Sequence, residues 1–309
     1  MKIYNSISEF STTLPIVGTT GTFDGVHLGH RQILKRMSES AREMEGETLL
    51  LTFYPHPRMV LFPENNDLRL LCSQEEKIEL LRETGLDHLV IHPFTREFSR
   101  HTSIEFVRDI LIHQLHVKKL VIGYDHQFGR NREGSFEELV ELSDLYGFEV
   151  EEVQAQNFGE IDVSSTKIRK ALNAGDAAKA NAYLSSNYLL SGTVVEGEKL
   201  GRKIGFPTAN IALDFAHKLI PAPGAYAVRV RCLGNFFKGM LNIGIRPTVN
   251  TGNQLTLEVH IFDFDQSIYG ESIQVELVDR IRNEVKFEGI EALQKQLHAD
   301  REKSLSILG

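Results

Sequence analysis

Hydrophobic and polar positions follow two different rhythms along the chain, and the rhythm changes near residues 181–190. In the first half, short apolar runs at 15–19, 48–53, 88–92 and 119–123 have the character of strands buried on both faces. Between and after them, apolar residues recur at helical spacing over 29–44, 73–84, 102–115 and 135–145, and a further strand-like stretch occupies 149–153. Such alternation predicts βαβ units and a doubly wound parallel sheet. Ligands of these sheets bind beyond the carboxyl ends of the strands. The unusual polar clusters of this half each follow a strand.

The second half reads differently. A short helical connector over 171–186 is broken at Gly175-Asp176, and strands then succeed one another without helices between them. Val228, Val230 and Cys232 alternate with Arg229 and Arg231, and Gly234-Asn235 offers a tight turn before 236–243. Leu255, Leu257, Val259 and Ile261 alternate with Thr256, Glu258 and His260. This period of two predicts an antiparallel sheet or small barrel with one apolar face. Ile290, Leu293 and Leu297 lie at helical spacing and predict a terminal helix packed on it. A length of 309 residues accommodates two ordinary domains, here divided as 1–183 and 184–309.

Composition narrows the classes. Apolar residues make up 41% and charged residues 25%, as in a soluble globular protein with a proper core. A net charge of -8 argues against a nucleic-acid binder working through a broad basic surface. Cys72 and Cys232 stand far apart without a His/Cys cluster, so they read as two free thiols in a reducing compartment. No secretory leader is visible in the first 15 residues, and no apolar run reaches transmembrane length. The expected setting is cytoplasmic, with no membrane and no nucleic acid as partner.

The richest chemistry lies in residues 21–30, between a strand and a helix. Gly18, Gly21, Gly25 and Gly29 let the backbone approach a bulky ligand. His27 and His30 are three apart at the helix start, so both imidazoles leave from one face. The helix N-terminus adds free N–H groups and partial positive charge. A bare His-x-x-His equally describes two surface histidines; the strand, Gly-rich turn and helix around it favour a polyphosphate cradle. Farther on, Ser164, Ser165 and Thr166 open a helix ahead of Lys167 and Arg169. Such hydroxyls either cap the helix or hold terminal phosphates. His56, fixed between Pro55 and Pro57, either reaches a nucleotide or is merely solvated.

In the second half, residues 201–210 combine Gly201, Arg202, Lys203 and Gly205 with a rigid Pro207-Thr208 pair. Thr208 and Asn210 point to one side of an extended segment and are oxygen donors suited to Mg²⁺ with ATP phosphates. A polar surface turn is the plainer reading, and the Walker pattern is absent. Glu258 on the polar face of its strand is either a base for an attacking hydroxyl or an exposed structural carboxylate.

These segments resemble two enzyme families. His27-Leu28-Gly29-His30 resembles the His-x-Gly-His signature of the nucleotidyltransferase superfamily, and Phe23-Asp24-Gly25-Val26-His27 is similar to its flavin adenylyltransferase branch, which carries Gly at this place. Residues 164–169 resemble the superfamily's Ser-Ser-Thr-x-Ile-Arg signature. Residues 123–129 resemble the flavin-side motif Gly-x-Asp-Phe-x-Phe-Gly, with His126 in place of its first Phe. Residues 201–210 resemble the riboflavin kinase signature, and 257–264 with Tyr269-Gly270 its catalytic-glutamate strand. Residues 221–226 and 241–248 resemble ligand-lining loops of the same family. Nearly the whole chain is thus similar to the prokaryotic FAD synthetase family, bifunctional riboflavin kinases and FMN adenylyltransferases.

The resemblance implies an N-terminal doubly wound parallel-sheet nucleotidyltransferase domain and a C-terminal antiparallel β-barrel kinase domain with a terminal helix. The kinase would convert riboflavin and ATP to FMN; the transferase would convert FMN and a second ATP to FAD and pyrophosphate, with Mg²⁺ as cofactor. It implies that Gly21, Thr22, Phe23, Asp24, Gly29, His56, Ser164, Ser165, Thr166 and Arg169 hold ATP around catalytic His27 and His30. Asp125, His126 and Phe128 would meet the flavin. In the kinase, Gly201, Lys203, Gly205, Pro207, Thr208 and Asn210 would hold ATP, Thr208 and Asn210 also the metal, and Glu258 would be the base. A different nucleotidyltransferase, acting on pantetheine phosphate or a nicotinamide mononucleotide, would leave 201–210 and Glu258 unused. A non-catalytic flavin or nucleotide sensor of the same fold would bind without turnover, and the intact His27, His30, Thr208, Asn210 and Glu258 speak against it.

Overall fold

The computed structural model describes residues 1–64, 67–124, 127–130, 133–154, 163–197, 200–248 and 252–309, with 200, 246–248 and 252–254 described by backbone alone. The chain forms two compact units: Met1–Arg69 with Gln74–Ser164, and Leu70–Ser73 with Ser165–Gly309.

In the first unit the elements run β1 (Lys2–Tyr4), β2 (Ile16–Thr20), α1 (Leu28–Glu43), β3 (Glu47–Tyr54), α2 (Pro57–Leu61), α3 (Gln74–Arg82) and β4 (His88–Pro93). Then come α4 (Ser103–Glu105), continued as a π-helix over Phe106–Gln114, β5 (Val117–Gly123), α5 (Phe136–Tyr146) and β6 (Glu149–Val153). The strand and helix bounds expected in this unit are matched to within two residues; β1, too short to show a rhythm, and the five-residue α2 were not expected. The sheet order is β1-β4-β3-β2-β5-β6, with every neighbouring pair parallel. Val17, Leu50, Leu89 and Val121 bury one face together with Leu34 and Met37 of α1 and Leu81 of α3. Ile16, Leu49, Leu51, Leu120 and Ile122 bury the other with Phe106, Ile110, Leu139 and Phe148. Burial on both faces is why these strands read as unbroken apolar runs. The chain steps outward from β2 through β3 to β4, then crosses to β5 on the other side of β2. The order therefore reverses at the end of β2, where crevices form in such sheets. A capping box starts α4: Glu105 N–H donates to Thr102 Oγ1 at 3.2 Å and Thr102 N–H to Glu105 Oε2 at 2.9 Å.

The second unit holds α6 (Ser165–Ala174), α7 (Ala177–Leu184), β7 (Tyr188–Val195), α8 (Leu200–Lys203), β8 (Ala209–Leu213), β9 (Gly224–Cys232), β10 (Asn235–Thr248), β11 (Gly252–Ile261), β12 (Ser272–Asn283) and α9 (Ile290–Leu308). The strands close a barrel in the order β10-β11-β8-β7-β12-β9, with antiparallel neighbours. Leu70 bridges to Lys218 in this unit, and the Lys218 ammonium donates to the Leu71 carbonyl at 2.7 Å. The expected break at Gly175-Asp176 separates α6 from α7: Gly175 has φ +79, and Asp176 caps α7 by accepting from Lys179 N–H at 3.0 Å. The β9–β10 turn falls one residue earlier than expected, on Leu233 (φ +49) and Gly234 (φ +77), with Cys232 opposite Asn235. Both turn residues adopt the left-handed conformation that matches strand twist in a two-residue hairpin.

Alternation along β9 explains how one strand is buried on both sides. Val228 and Val230 are fully buried on one face, while Ala225 and Ala227 belong to the cluster formed with Phe206, Met240, Phe262, Ile281 and Leu308. That cluster is covered by Leu297 and Leu305 of α9; Ile290 is 58% exposed, so the packed stripe starts a turn later than expected. Arg282 of β12 grips the buried Asp300 carboxylate through Nε and Nη2 at 2.9 and 2.8 Å, which fixes α9 on the barrel.

At the amino ends of β3 and β4, Glu47 accepts from Thr12 Oγ1 at 2.9 Å and from the buried His88 Nε2, also at 2.9 Å. The hydrogen bond from His88, with that from Thr12, holds the Glu47 carboxyl below its ordinary range. A depressed carboxyl stabilises the fold above its unfolded value, about 4.3, and that stabilisation is lost as pH falls through the folded value. Glu47→Gln is therefore expected to lower stability at pH 7 by about 1 kcal/mol. Urea melts from pH 7 to pH 4 check it: the gap to wild type should close on the acid side.

Candidate active sites in the two units

In the first unit, the segment after β2 bends sharply. Phe23 (φ +48), Gly25 (φ +83) and Val26 (φ +42) all adopt left-handed conformations, and Val26 N–H donates to the Phe23 carbonyl at 3.2 Å. A β-branched residue rarely accepts such a backbone. Here Val26 is fully buried and Phe23 3% exposed, both in the core under α1, so packing offsets the strain. Gly21 N–H donates to the Leu51 carbonyl at 3.1 Å, and Thr52 Oγ1 donates to the Thr22 carbonyl at 3.3 Å, which ties the turn to β3. Asp24 lies buried within it.

This turn delivers His27 as the cap of α1 and His30 in its first turn. The His27 and His30 rings stack with centroids 3.7 Å apart and planes 16° apart, and Phe23 stacks on His30 at 4.4 Å and 21°. His30 is thus held between an imidazole and a phenyl ring. Gly29 gives the stack room: a Cβ there would stand 3.3 Å from His27 Cε1, a tight contact to which the ring would have to yield by a few tenths of an ångström. His30 Nδ1 is buried and has no hydrogen-bond partner among the described residues. Burial first, then the neighbouring His27 and the Lys77 ammonium, push His30 well below its ordinary pKa. Lys77 is itself 7% exposed, on the face of α3 that also carries Leu81. Two donors and a lysine beside a helix N-terminus make a setting for anions.

The other residues of this group are placed as follows. His56 caps α2, its Nδ1 accepting from Arg58 N–H at 3.1 Å. Phe128 is buried at 6% and packs with Phe106 at 6.1 Å in the core. Asp125 and His126 lie outside the described residues. Thr166 is exposed and Arg169 half-buried on α6, anchored by the fully buried Ile168; the division into units falls between Ser164 and Ser165.

In the second unit, residues 201–210 make one helical turn and then extend. The Gly201 carbonyl accepts from Ile204 N–H at 3.1 Å and from Phe206 N–H at 2.9 Å, and Gly205 reverses the chain with φ +82. A Cβ at Gly201 would collide with the Phe206 carbonyl. Ile204 and Phe206 are buried at 8% and 4%, leaving Lys203, Gly205 and Pro207 exposed between and beside them. The segment then enters β8, where Asn210 lies directly opposite Glu258 of β11. Asn242 of β10 flanks Glu258 on its other side, and Thr208 Oγ1 lies 3.5 Å from Glu258 Oε2. Thr208, Asn210, Asn242 and Glu258 are all half-buried, on the outer face of the barrel that also carries Met240. Four oxygen-bearing side chains thus meet beside a glycine-bent loop. Among the described residues no cluster of three His, Cys, Asp or Glu could hold a metal by itself. A hard cation there would need phosphate oxygens as further ligands, as Mg²⁺ commonly takes them.

The fold and these two constellations define a two-part phosphate-transfer enzyme, with a nucleotidyltransferase-type sheet and a kinase-type barrel. A family model described as FAD synthetase matches residues 11–167, and one described as riboflavin kinase matches 184–308. The chain belongs to the bifunctional riboflavin kinase/FMN adenylyltransferase family. It is 41% identical to the enzyme of that name from Haemophilus influenzae, covering 92% of this chain and 91% of the relative. It is 38% identical to that of Escherichia coli K12, over 97% and 96% of the two chains. A crystal structure described as a macrolide-efflux protein from Streptococcus pneumoniae matches with TM-score 0.90 and 31% identity over 98% of each chain.

Lys77 escaped the sequence reading as a site residue, and Asn242 entered it only within the 241–248 stretch that resembles a ligand-lining loop. Each left a signal: a lysine at the buried stripe of α3, and an amide inside the apolar run in the middle of β10. Lys77→Met is expected to raise the His30 pKa toward the ordinary value, since it removes one of the charges that oppose protonation. A proton-NMR titration of the imidazole signals checks it; an unmoved His30 would place Lys77 out of electrostatic reach.

Proposed function

We propose that the two activities of the family are divided between the two constellations: FMN adenylylation at His27 and His30, and riboflavin phosphorylation at Glu258. The functional division follows 1–183 and 184–309, which the separate family matches support. Riboflavin, FMN and ATP are the substrates, FAD and pyrophosphate the final products. The observation that carries this reading is the distribution of bases. The barrel wall carries a half-buried carboxylate among oxygen donors, whereas the other unit's turn offers two imidazoles and keeps its own carboxylate, Asp24, buried.

The chemistry asks for that difference. The ribityl 5′-hydroxyl of riboflavin is neutral, so its attack on the γ-phosphate of ATP gains from a carboxylate that accepts its proton. Glu258 fills that role, aligned by its neighbours Asn210 and Asn242. Gly201 and Gly205 bring backbone close to the triphosphate, with Lys203 and Pro207 at its rim. Thr208 and Asn210 fit Mg²⁺ by donor type, and the cation would there neutralise phosphate charge. The phosphate of FMN, by contrast, is already anionic. Its attack on the α-phosphate of ATP needs positioning and charge relief rather than a base.

For that step His27 and His30 donate to phosphate oxygens, and the stack with Phe23 fixes their ring planes. Gly21, Thr22, Asp24 and Gly29 shape the turn around ATP. Ser164, Ser165, Thr166 and Arg169 receive its phosphates, and His56 the nucleotide. Asp125, His126 and Phe128 serve the flavin. Neither nucleic acid nor membrane enters this chemistry, and the setting is cytoplasmic. Among the described residues no helix is long and apolar enough to cross a membrane.

Incubation of the purified protein with riboflavin, ATP and Mg²⁺, followed by separation of the flavins, tests the reading directly. Glu258→Ala is expected to lower FMN formation by about 10²-fold or more while sparing conversion of supplied FMN to FAD. His30→Ala is expected to do the reverse. Loss of both activities in either folded variant would refute the division.

A further inference from the structure

The β8–β11 ladder ends abruptly. Its paired residues are Glu258 with Asn210 and Val259 with Ala209, and the preceding residues of the kinase loop are Thr208 and Pro207. Proline has no N–H to give, so the strand pairing cannot run on through it. The Pro207 carbonyl is nevertheless satisfied: it lies 2.7 Å from His260 Nδ1, a side chain on β11 two residues past Glu258. Since a carbonyl only accepts, that nitrogen carries the proton. His260 is 9% exposed, and its ring meets Phe206 edge to face at 5.2 Å. Phe206 is met from α9 by His298 at 4.9 Å, and Gln294 of α9 donates to the Ile204 carbonyl at 3.3 Å.

We infer that His260 is a positioning residue of the kinase: its ring N–H takes the Pro207 carbonyl just beyond the end of the ladder, and so sets Thr208 and Asn210 against Glu258. This rests on the barrel carrying the kinase reaction. The geometry gives the segment two ties to one strand, the Asn210–Glu258 pairing on one side of Thr208 and the His260 bond on the other. Between them Thr208 has little freedom, and its hydroxyl stands 3.5 Å from the Glu258 carboxylate. Burial lowers the His260 pKa, outweighing the opposing bond to Pro207 and the charge of Asp263 and acting with that of Arg301. The ring is therefore a neutral donor at ordinary pH, and no acid–base role is assigned to it. His260 acts through the loop; it touches the Pro207 carbonyl and Phe206, not the proposed site of phosphoryl transfer.

The test is steady-state kinetics of FMN formation by the full chain, with conversion of FMN to FAD followed in the same preparations. His260→Leu is expected to raise the KM for MgATP about tenfold, the equivalent of about 1.4 kcal/mol, with the riboflavin KM changed less than about twofold. His260→Asn, whose amide can again donate to Pro207, should recover most of that loss. An unchanged MgATP KM in His260→Leu overturns the inference, and so does an Asn variant as impaired as the Leu variant. If His260→Leu unfolds the barrel, the Asn variant decides. A MgATP KM near wild type supports the inference, and an equal rise in both substrate KM values overturns it. Wild-type protein that forms no FMN would instead remove the kinase reading on which the inference stands.

Discussion

A loop that holds a phosphate must bring its backbone up to the ligand and yet keep one shape. The loops proposed for that task in the two units meet the constraint in the same physical way. In each, the bent backbone is pinned by large side chains driven into the core on either side of a glycine. In the first unit Phe23 and Val26 are the buried anchors around Gly25; in the second, Ile204 and Phe206 flank Gly205. Burial of a large apolar side chain contributes about 1.5–3 kcal/mol, which is the scale of the strain in a left-handed residue. Without these anchors the glycines would give freedom rather than form.

The two loops present different chemistry because their neighbours differ. The helix after the first turn brings His27 and His30 into a stack, and α3 adds Lys77, so His30 is kept a neutral donor beside a positive charge. The strand after the second loop enters an antiparallel ladder, which sets Asn210 and Asn242 on either side of Glu258. A helix N-terminus suits an anion that arrives charged. A carboxylate on a barrel wall suits an alcohol that must lose a proton. The proposed division of labour thus follows the kind of element that comes after each loop.

Much of this was legible in one dimension. Doubly buried strands announced themselves as apolar runs at β2, β3, β4 and β5, and half-buried ones as alternation in β9 and β11. Failures came where local signals were weak or shared. β1 has three residues, too few for any period, and exists by pairing with β4. The hairpin shifted by one because Leu233, with no turn propensity to advertise, accepts φ +49 beside Gly234. The terminal stripe was misplaced at its start because Ile290 is apolar yet lies beyond the barrel surface that α9 covers.

The sequence alone determined which residue types stand at which spacing: the glycines, the His-x-Gly-His pair, the Thr-x-Asn pair and the glutamate on an alternating strand. Spacing fixes direction within one element, because helices and strands have fixed periods. Tertiary structure decided everything that joins elements distant in the chain. It set Lys77 beside His30, Asn242 next to Glu258, and the ring of His260 on the carbonyl of Pro207. Those meetings depend on sheet order and barrel register, which follow from how the whole core packs and from no local pattern.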